Sequence, residues 1–522
     1  MVKTITEQEA IQLLEEFKKN RSKQDQRALC CLLGAYCGDN LGNYNEFSHS
    51  ISEEDLEQAM KMPGYGAHNL IPGQSTDDTE LATSLGYALI ENPDPNMLDC
   101  NLFSKYYSLW IQSPPFDLGM TIGAALGVTR KDELTYETSS QDCKQHFMAN
   151  RNRLNTKNQN RHSQSNGGVM RISPLCVYLS KQTDQQAIRK YVYAEQTLTH
   201  ISKPALEAAY VYVRIVTNII KGLNATQVVQ DLTNYFQDEC KDEDVKDWWE
   251  SNLNKTEYQE AVLSMGWIKH ALTQCFVALN ILSKLEKEGA VEQVKQEIYK
   301  EFLKDILRLC GDSDTNAAIV GGMIGAYLTL EEFPQDYLKK IVECNLQDNK
   351  NSQLFHPREE IFNPRNCIYL CDEILKKASD NPNIEIIDGQ LTDEIIKKIQ
   401  DYNDIKVKEK LKKYMNKEED HQKEKKQNLE EQQLTNWIQD KNLSKAGDLV
   451  ESIKQFNNQH QISFQQSDNN QDLSEQISDQ IQNNNQNIND QVIVEEEANH
   501  QCEAQTQQKD QDLKVEEEIN EI

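Results

Sequence analysis

The chain lacks any run of about eighteen apolar residues, the length a membrane helix needs. Its longest candidate, 317–330, falls short. It also lacks a basic stripe: 84 acidic residues stand against 55 Lys and Arg, a net charge of −29. With nothing to neutralise a phosphate backbone, nucleic acid is not an expected partner. The first residues, MVKTITEQE, carry acids where a signal peptide needs an apolar centre, so the expected address is intracellular, in the cytoplasm. Thirteen cysteines are present, including adjacent Cys30 and Cys31 and the pair Cys367 and Cys371, but no CxxC pair has zinc spacing. An odd, scattered set reads as reduced, buried thiols rather than a disulfide framework or a thiolate metal site. Sustained alternation of polar and apolar residues is missing too, which removes the signal for a β-sheet domain.

What is present is helical periodicity. The spacing predicts helices over 6–19, 24–38, 77–89, 98–110, 175–179, 183–198, 203–221, 257–285, 295–309 and 368–375. The second ends in Gly38-Asp39-Asn40-Leu41-Gly42, a turn that would deliver Asp39 and Glu46 near its end. Residues 63–75, rich in Gly, Pro and Asn, read as loop, and 230–255, with its acids and Trp248-Trp249, reads as a surface excursion. The expected organisation is an N-terminal helical extension over 1–24, a catalytic domain over 25–380, a charged helical or coiled-coil-like extension over 381–460, and a tail over 461–522. That tail has 15 acidic residues against 2 lysines and a Gln/Asn run over 482–487, a composition that cannot bury enough apolar surface to fold alone.

Two segments concentrate carboxylates and a threonine at a glycine-bounded junction just before an apolar helix: Ser75-Thr76-Asp77-Asp78-Thr79 and Gly311-Asp312-Ser313-Asp314-Thr315. Two readings stand side by side. Thr76 and the neighbouring acids can cap their helices and complement the helix dipole with no metal at all. If instead the clusters meet, four aspartates repel, and oxygen-only ligands then call for a hard divalent cation, magnesium, manganese or calcium. A third segment, Asn166-Gly167-Gly168-Val169-Met170-Arg171, is either an ordinary turn or a set of exposed backbone N–H groups able to cradle phosphate. It lacks the lysine and hydroxyl residue of a P-loop.

Taken in order, Gly38-Asp39-Asn40-Leu41-Gly42 with Glu46, Pro72-Gly73-Gln74 before Thr76-Asp77-Asp78-Thr79, Asp117-Leu118-Gly119, Asn166 to Arg171 with Pro174, and Gly311-Asp312-Ser313-Asp314-Thr315 resemble the ADP-ribosylglycohydrolase family over 25–378. The resemblance implies an all-α, compact, orthogonally packed multi-helix domain, here with a polar C-terminal extension. It also implies two divalent cations, Mg2+ or Mn2+, held by Thr76, Asp77 and Asp78 from one side and Asp312, Asp314 and Thr315 from the other. Glu46 falls at the family's position for a carboxylate that acts near the metal pair, Asp117 at that of an aspartate beside the substrate linkage, and Asn166, Gly167, Gly168, Val169, Met170 and Arg171 at its substrate loop. The implied activity is hydrolysis of the bond joining ADP-ribose to a protein side chain, with arginine slightly favoured because Asp117 can pair with a guanidinium. The partner would be an ADP-ribosylated protein or an ADP-ribose-containing small molecule. A catalytically silent ADP-ribose-binding member and a phosphoesterase on a nucleotide-like substrate are the alternatives. Acid and base roles are not separable from the residues alone. Cys310 stands where the family pattern often has a glycine.

Overall fold

Thr6 and Ser22 open the first two helices by one device. Each side-chain oxygen accepts the backbone N–H three residues on, and Glu9 and Asp25 reach back to the cap backbone. The computed structural model describes residues 2–92, 97–126, 135–139, 159–347, 356–378 and 385–387. Within them run α1 (Glu7–Asn20), α2 (Lys23–Gly42), α3 (Glu53–Ala59), α4 (Asp77–Glu91), α5 (Cys100–Gln112), α6 (Met120–Leu126), α7 (Ser173–Tyr178), α8 (Gln185–Gln196) and α9 (Lys203–Ile220). They continue with α10 (Ala225–Asp238), α11 (Glu243–Asn252), α12 (Ile268–Lys287), α13 (Val291–Val294), α14 (Ile298–Arg308), α15 (Ser313–Tyr327), α16 (Gln335–Glu343) and α17 (Asn366–Lys377). The domain is all-α in character, as expected. The strands described, β1 (Met97–Asp99) and β2 (Glu385–Ile387), make one short parallel pair with Leu98 opposite Ile386. No helix among the described residues is long and apolar enough to cross a membrane.

The architecture turns on α2 and α15. Gly34, Gly38 and Gly42 of α2 lie against Gly321, Ala317 and Ser313 of α15, in descending order, so the two helices run antiparallel with their backbones touching. A Cβ at any of the three glycines would fall inside the opposing carbonyl. α15 is buried on every side from Ser313 to Ala326, as an apolar helix without a polar face must be. α9, α12 and α14 pack on it, while α17 packs on both α2 and α4. This arrangement sets the C-terminal end of α2 beside the N-terminal ends of α4 and α15. α1 buries Ala10, Leu14 and Phe17, and is tied down at its two ends by the Ile5 N–H to Asn366 Oδ1 (3.0 Å) and by an ion pair of Arg21 with Asp372.

Three expectations are corrected. The helix predicted over 24–38 continues to Gly42, because Gly38 and Gly42 are used for close packing and neither adopts a positive φ. The 230–255 stretch is no surface excursion: it forms the C-terminal part of α10 and the whole of α11, and Trp249 stacks on Phe236 (5.2 Å) and meets Phe276 edge-on (5.0 Å). Glu243, Asp244, Asp247 and Glu250 lie on the outer face of α11 while Val245, Trp248 and Trp249 fill the inner one, and Asp242 is buried as the N-cap. Conversely, 257–267 is not helical. Ser264 takes a left-handed backbone (φ 52°) and α12 starts at Ile268. Most of the polar stretch before Asn166, and everything expected over 388–522, lie outside the described residues.

Candidate active site

Asp39, one turn from the end of α2, is where the site begins. Its carboxylate, fully buried, accepts the Thr76 N–H (3.0 and 3.2 Å), the Thr79 N–H (3.2 Å) and the Thr79 hydroxyl (2.6 Å), so it closes the open N-terminus of α4 from outside. Burial pushes its pKa up to about 7, against those hydrogen bonds, which pull it down. Thr76 is the N-cap of α4, its hydroxyl accepting the Asp78 N–H at 3.4 Å. Capping, one of the two readings of this cluster, is therefore real at Thr76.

Asp312 behaves differently. It occupies the N-cap position of α15 yet makes no cap hydrogen bond; its Oδ2 accepts instead from Asn166 Nδ2 at 2.8 Å. The two acidic clusters meet, with the Thr315 hydroxyl donating to Asp78 Oδ1 across 3.1 Å and the Thr315 N–H to Asp314 Oδ1 at 2.8 Å. Ligand oxygens of Glu46, Asp312 and Asp314 lie within 4.8 Å of one another. Burial, and then the charges of neighbouring carboxylates, drive Asp77, Asp78 and Asp314 well above the usual carboxylate range. Burial likewise raises Glu46. Asp78 Oδ2 and Glu46 Oε2 are buried with no hydrogen-bond partner. Hard oxygen donors, gathered with lone pairs unspent and more carboxylates than the neighbouring imidazole of His68 can balance, fit divalent cations.

Asp117 is brought to the same cleft by the loop after α5. Arg358 holds that loop: its guanidinium donates to both oxygens of Glu80 (2.7 and 2.6 Å), to the Ser113 carbonyl and to the Pro114 carbonyl (3.1 Å). The Trp110 indole completes Glu80 at 2.8 Å. The cleft, about 330 Å3, is lined by the carboxylates Glu46, Asp77, Asp78, Asp117, Asp312 and Asp314 with Thr315, and on the far wall by Asn166, Gly167 and Met170. Its mouth carries exposed apolar side chains, Phe47, Leu118 and Met120, the last 92% exposed.

Of the six-residue loop, Gly168, Val169 and Arg171 do not line the cleft. The Gly168 carbonyl accepts from Gln196 (2.7 Å), and Arg171 is buried on Glu195 (2.8 Å) and Thr199 (2.8 Å) with its guanidinium over Tyr107. Arg171 thus supports the loop from behind. His200 sits beneath, bonded to Ser165 (2.7 Å) and Thr199 (2.8 Å), with burial and the Arg171 charge taking its pKa down to about 3.

The residue the sequence reading missed is His68. Glycines with positive φ at 64, 66 and 73 fold the 63–75 loop over the end of α2, with Asn43 receiving the His68 N–H (3.2 Å) and donating to the Tyr65 carbonyl (2.8 Å). The imidazole stands behind two cleft-lining carboxylates, with Nε2 3.1 Å from Glu46 Oε2 and 3.4 Å from Asp117 Oδ2. Phe47 and Phe116 flank its ring. A lone histidine in a Gly- and Asn-rich loop has no periodicity to flag it; its closeness in sequence to the Thr76 cluster is the one clue it offers.

Comparison with known proteins gives a match to the family model described as ADP-ribosylglycohydrolase over residues 20–379. The chain is 24% identical to a "Putative ADP-ribosyl glycohydrolase" of Acanthamoeba polyphaga mimivirus, covering 64% of this chain and 96% of that one. It is 24% identical to the ADP-ribosyl-[dinitrogen reductase] glycohydrolase of Rhodospirillum rubrum, over 60% of this chain and 90% of that one. With ADP-ribosylhydrolase ARH3 of Homo sapiens it shares 23% identity over 59% of this chain and 86% of the relative.

Proposed function

The chain belongs to the ADP-ribosylglycohydrolase family, metal-dependent hydrolases of ADP-ribose linkages, and from that premise we propose that it releases ADP-ribose from a modified protein side chain, with arginine the favoured linkage. The observation that carries this reading is the meeting of Asp78 with Thr315, next to Asp314, in a cleft where Asp78 Oδ2 and Glu46 Oε2 are buried without a hydrogen-bond partner. Asp77, Asp78, Asp312, Asp314 and Thr315 are the side chains that would hold two magnesium or manganese ions, with Thr76 completing the set from the cap of α4. Such ions, when bound, supply Lewis acidity and lower the pKa of water at neutral pH.

The chain's own groups do the rest. Asn166 steers the Asp312 carboxylate by its 2.8 Å hydrogen bond, and the Gly167 and Met170 side of the loop faces the space left for the ribose and phosphates. Glu46, raised by burial, holds a proton more readily than an exposed glutamate, which suits it to exchange one at the glycosidic atom. Asp117, nearer the mouth, meets the departing side chain, and its two oxygens suit the fork of a guanidinium. The test is release of free ADP-ribose from ADP-ribosyl-arginine and ADP-ribosyl-serine peptides with magnesium, with manganese and with chelator. Metal-dependent release from the arginine peptide, lost selectively in Asp117→Asn, is the expected result. No release from either peptide by folded, metal-loaded protein would overturn the activity, and equal loss on both peptides in Asp117→Asn would overturn the arginine assignment.

A further inference from the structure

At the edge of the cleft, His68 sets an imidazole nitrogen beside the carboxylates of Glu46 and Asp117. Nε2 lies 3.1 Å from Glu46 Oε2 and 3.4 Å from Asp117 Oδ2, close enough to pair with either carboxylate when the ring is protonated, yet neither Nε2 nor Glu46 Oε2 has a hydrogen-bond partner of good geometry. One ligand atom from each of Glu46, His68 and Asp117 lies within 4.8 Å of the other two, close enough to share one ion. Donors on a tetrahedron of bonds about 2.0–2.1 Å long stand roughly 3.3–3.4 Å apart, and the two nitrogen-to-oxygen distances here, 3.1 and 3.4 Å, lie close to that. Glu46 is 8% exposed, so its unpartnered oxygen is turned inward and not to solvent.

We propose that Glu46, His68 and Asp117 form a further site for a zinc-class divalent ion, sharing Glu46 with the Asp312 and Asp314 cluster, and that filling it shuts off hydrolysis. The donor set sets the ion class: one imidazole nitrogen with two carboxylates favours zinc and its transition-metal neighbours over magnesium, whereas the inner carboxylates and Thr315 are hard oxygens alone. His68 is held ready, its backbone N–H on Asn43 Oδ1 at 3.2 Å and its ring flanked by Phe47 and Phe116. Asp117, with its side chain 21% exposed, leaves the site open to ions entering from the cleft. Inhibition follows from what the ligands would otherwise do. An ion taking the lone pairs of Glu46 and Asp117 leaves neither free to exchange a proton or to meet a guanidinium. This second half rests on the glycohydrolase reading; the site itself does not.

The full chain, saturated with magnesium, is titrated with Zn2+ by calorimetry, beside His68→Phe and His68→Gln, each first shown to be folded by its thermal transition. Phe matches the aromatic surroundings, and Gln keeps a polar side chain that zinc binds poorly. One zinc site in the wild-type chain, weakened at least about 100-fold in both variants, is the expected result, since even partners beyond the ligands change metal affinity by about 10- to 100-fold. No zinc bound beside magnesium, or equal affinity in the variants, overturns the site. ADP-ribose release with and without Zn2+ is measured in the same three proteins. Inhibition confined to the wild type is expected, while zinc bound without inhibition overturns the regulatory half. Should the wild type release no ADP-ribose at all, the glycohydrolase reading fails and the calorimetry still decides the site.

Discussion

Replacing Gly38 by alanine puts a methyl group where the Ala317 carbonyl stands, and the next nearest atoms, Ala317 C at 2.5 Å and Ala318 N at 2.9 Å, are backbone as well. Nothing there can rotate away. Overpacking by one methyl costs about 1–3 kcal/mol, and with rigid neighbours on the contact side the upper end applies. Alanine returns roughly 0.5–1 kcal/mol of the helix penalty of glycine, so Gly38→Ala should lose about 2 kcal/mol. At roughly 2 °C per kcal/mol for a domain of this size, the melting temperature falls by about 4 °C. Gly86→Ala is the matched control, a helical glycine whose nearest obstacle is the flexible end of the Leu370 side chain at 2.9 Å; there the two terms roughly cancel. Relief at position 38 means prising α2 from α15, and these two helices carry Asp39 and the Asp312 to Thr315 cluster. A displacement of about 1 Å at such a site costs about 100-fold in rate. Thermal unfolding and kcat/KM for ADP-ribose release of the two variants are the assays. Equal melting temperatures and undiminished activity in Gly38→Ala would refute the claim that this backbone contact sets the site.

Asp39 should give the metal-free protein an unusual pH profile. Its folded pKa, about 7, is raised above the ordinary 3.8, so its contribution is fully present below about pH 4 and lost as pH rises through about 7. Asp77, Asp78 and Asp314 shift the same way. In chelator the melting temperature should therefore rise on going from about pH 8 to about pH 6, and magnesium or manganese should flatten the slope; a flat profile in chelator contradicts it. Arg358→Met leaves Glu80 buried and unpaired, a loss of about 3–5 kcal/mol readable in urea unfolding, and the Asp117 loop loses its anchor with it. Truncation after residue 407 should leave the melting temperature intact, whereas truncation after 380 removes β2 from its pairing with β1 and should lower it slightly; identical transitions would show the pairing contributes nothing.

Helix periodicity made most of this architecture legible, because α4, α9, α14 and α17 each set apolar residues against a core in a repeating pattern. It failed where another signal imitated a boundary. Gly38 and Gly42 look like a turn in one dimension, and only the presence of α15 shows that they are a contact surface. The acids of α11 disguised a face that buries two tryptophans. At the site, the two acidic clusters could be singled out as candidates from their composition, but not which of their atoms cap a helix: Thr76 does and Asp312 does not, a difference that depends on Asn166, 146 residues away. His68 was illegible for a similar reason. Its meaning comes from Glu46 and Asp117, neither adjacent to it in sequence.

The contact of α2 with α15 also bears on when the protein becomes itself during synthesis. Ser313 donates its hydroxyl to the Gly42 carbonyl across 271 residues of chain. Closing so long a span is slow, since its loop entropy is lost before the contact forms. The second helix leaves the ribosome early, with glycines that make it a poor helix alone and a flank that nothing yet covers. At about 5–20 residues per second the wait for α15 lasts on the order of tens of seconds. In that interval the nascent chain offers an unclosed seam, a natural place for a chaperone to bind and for a premature stop to leave an aggregation-prone fragment.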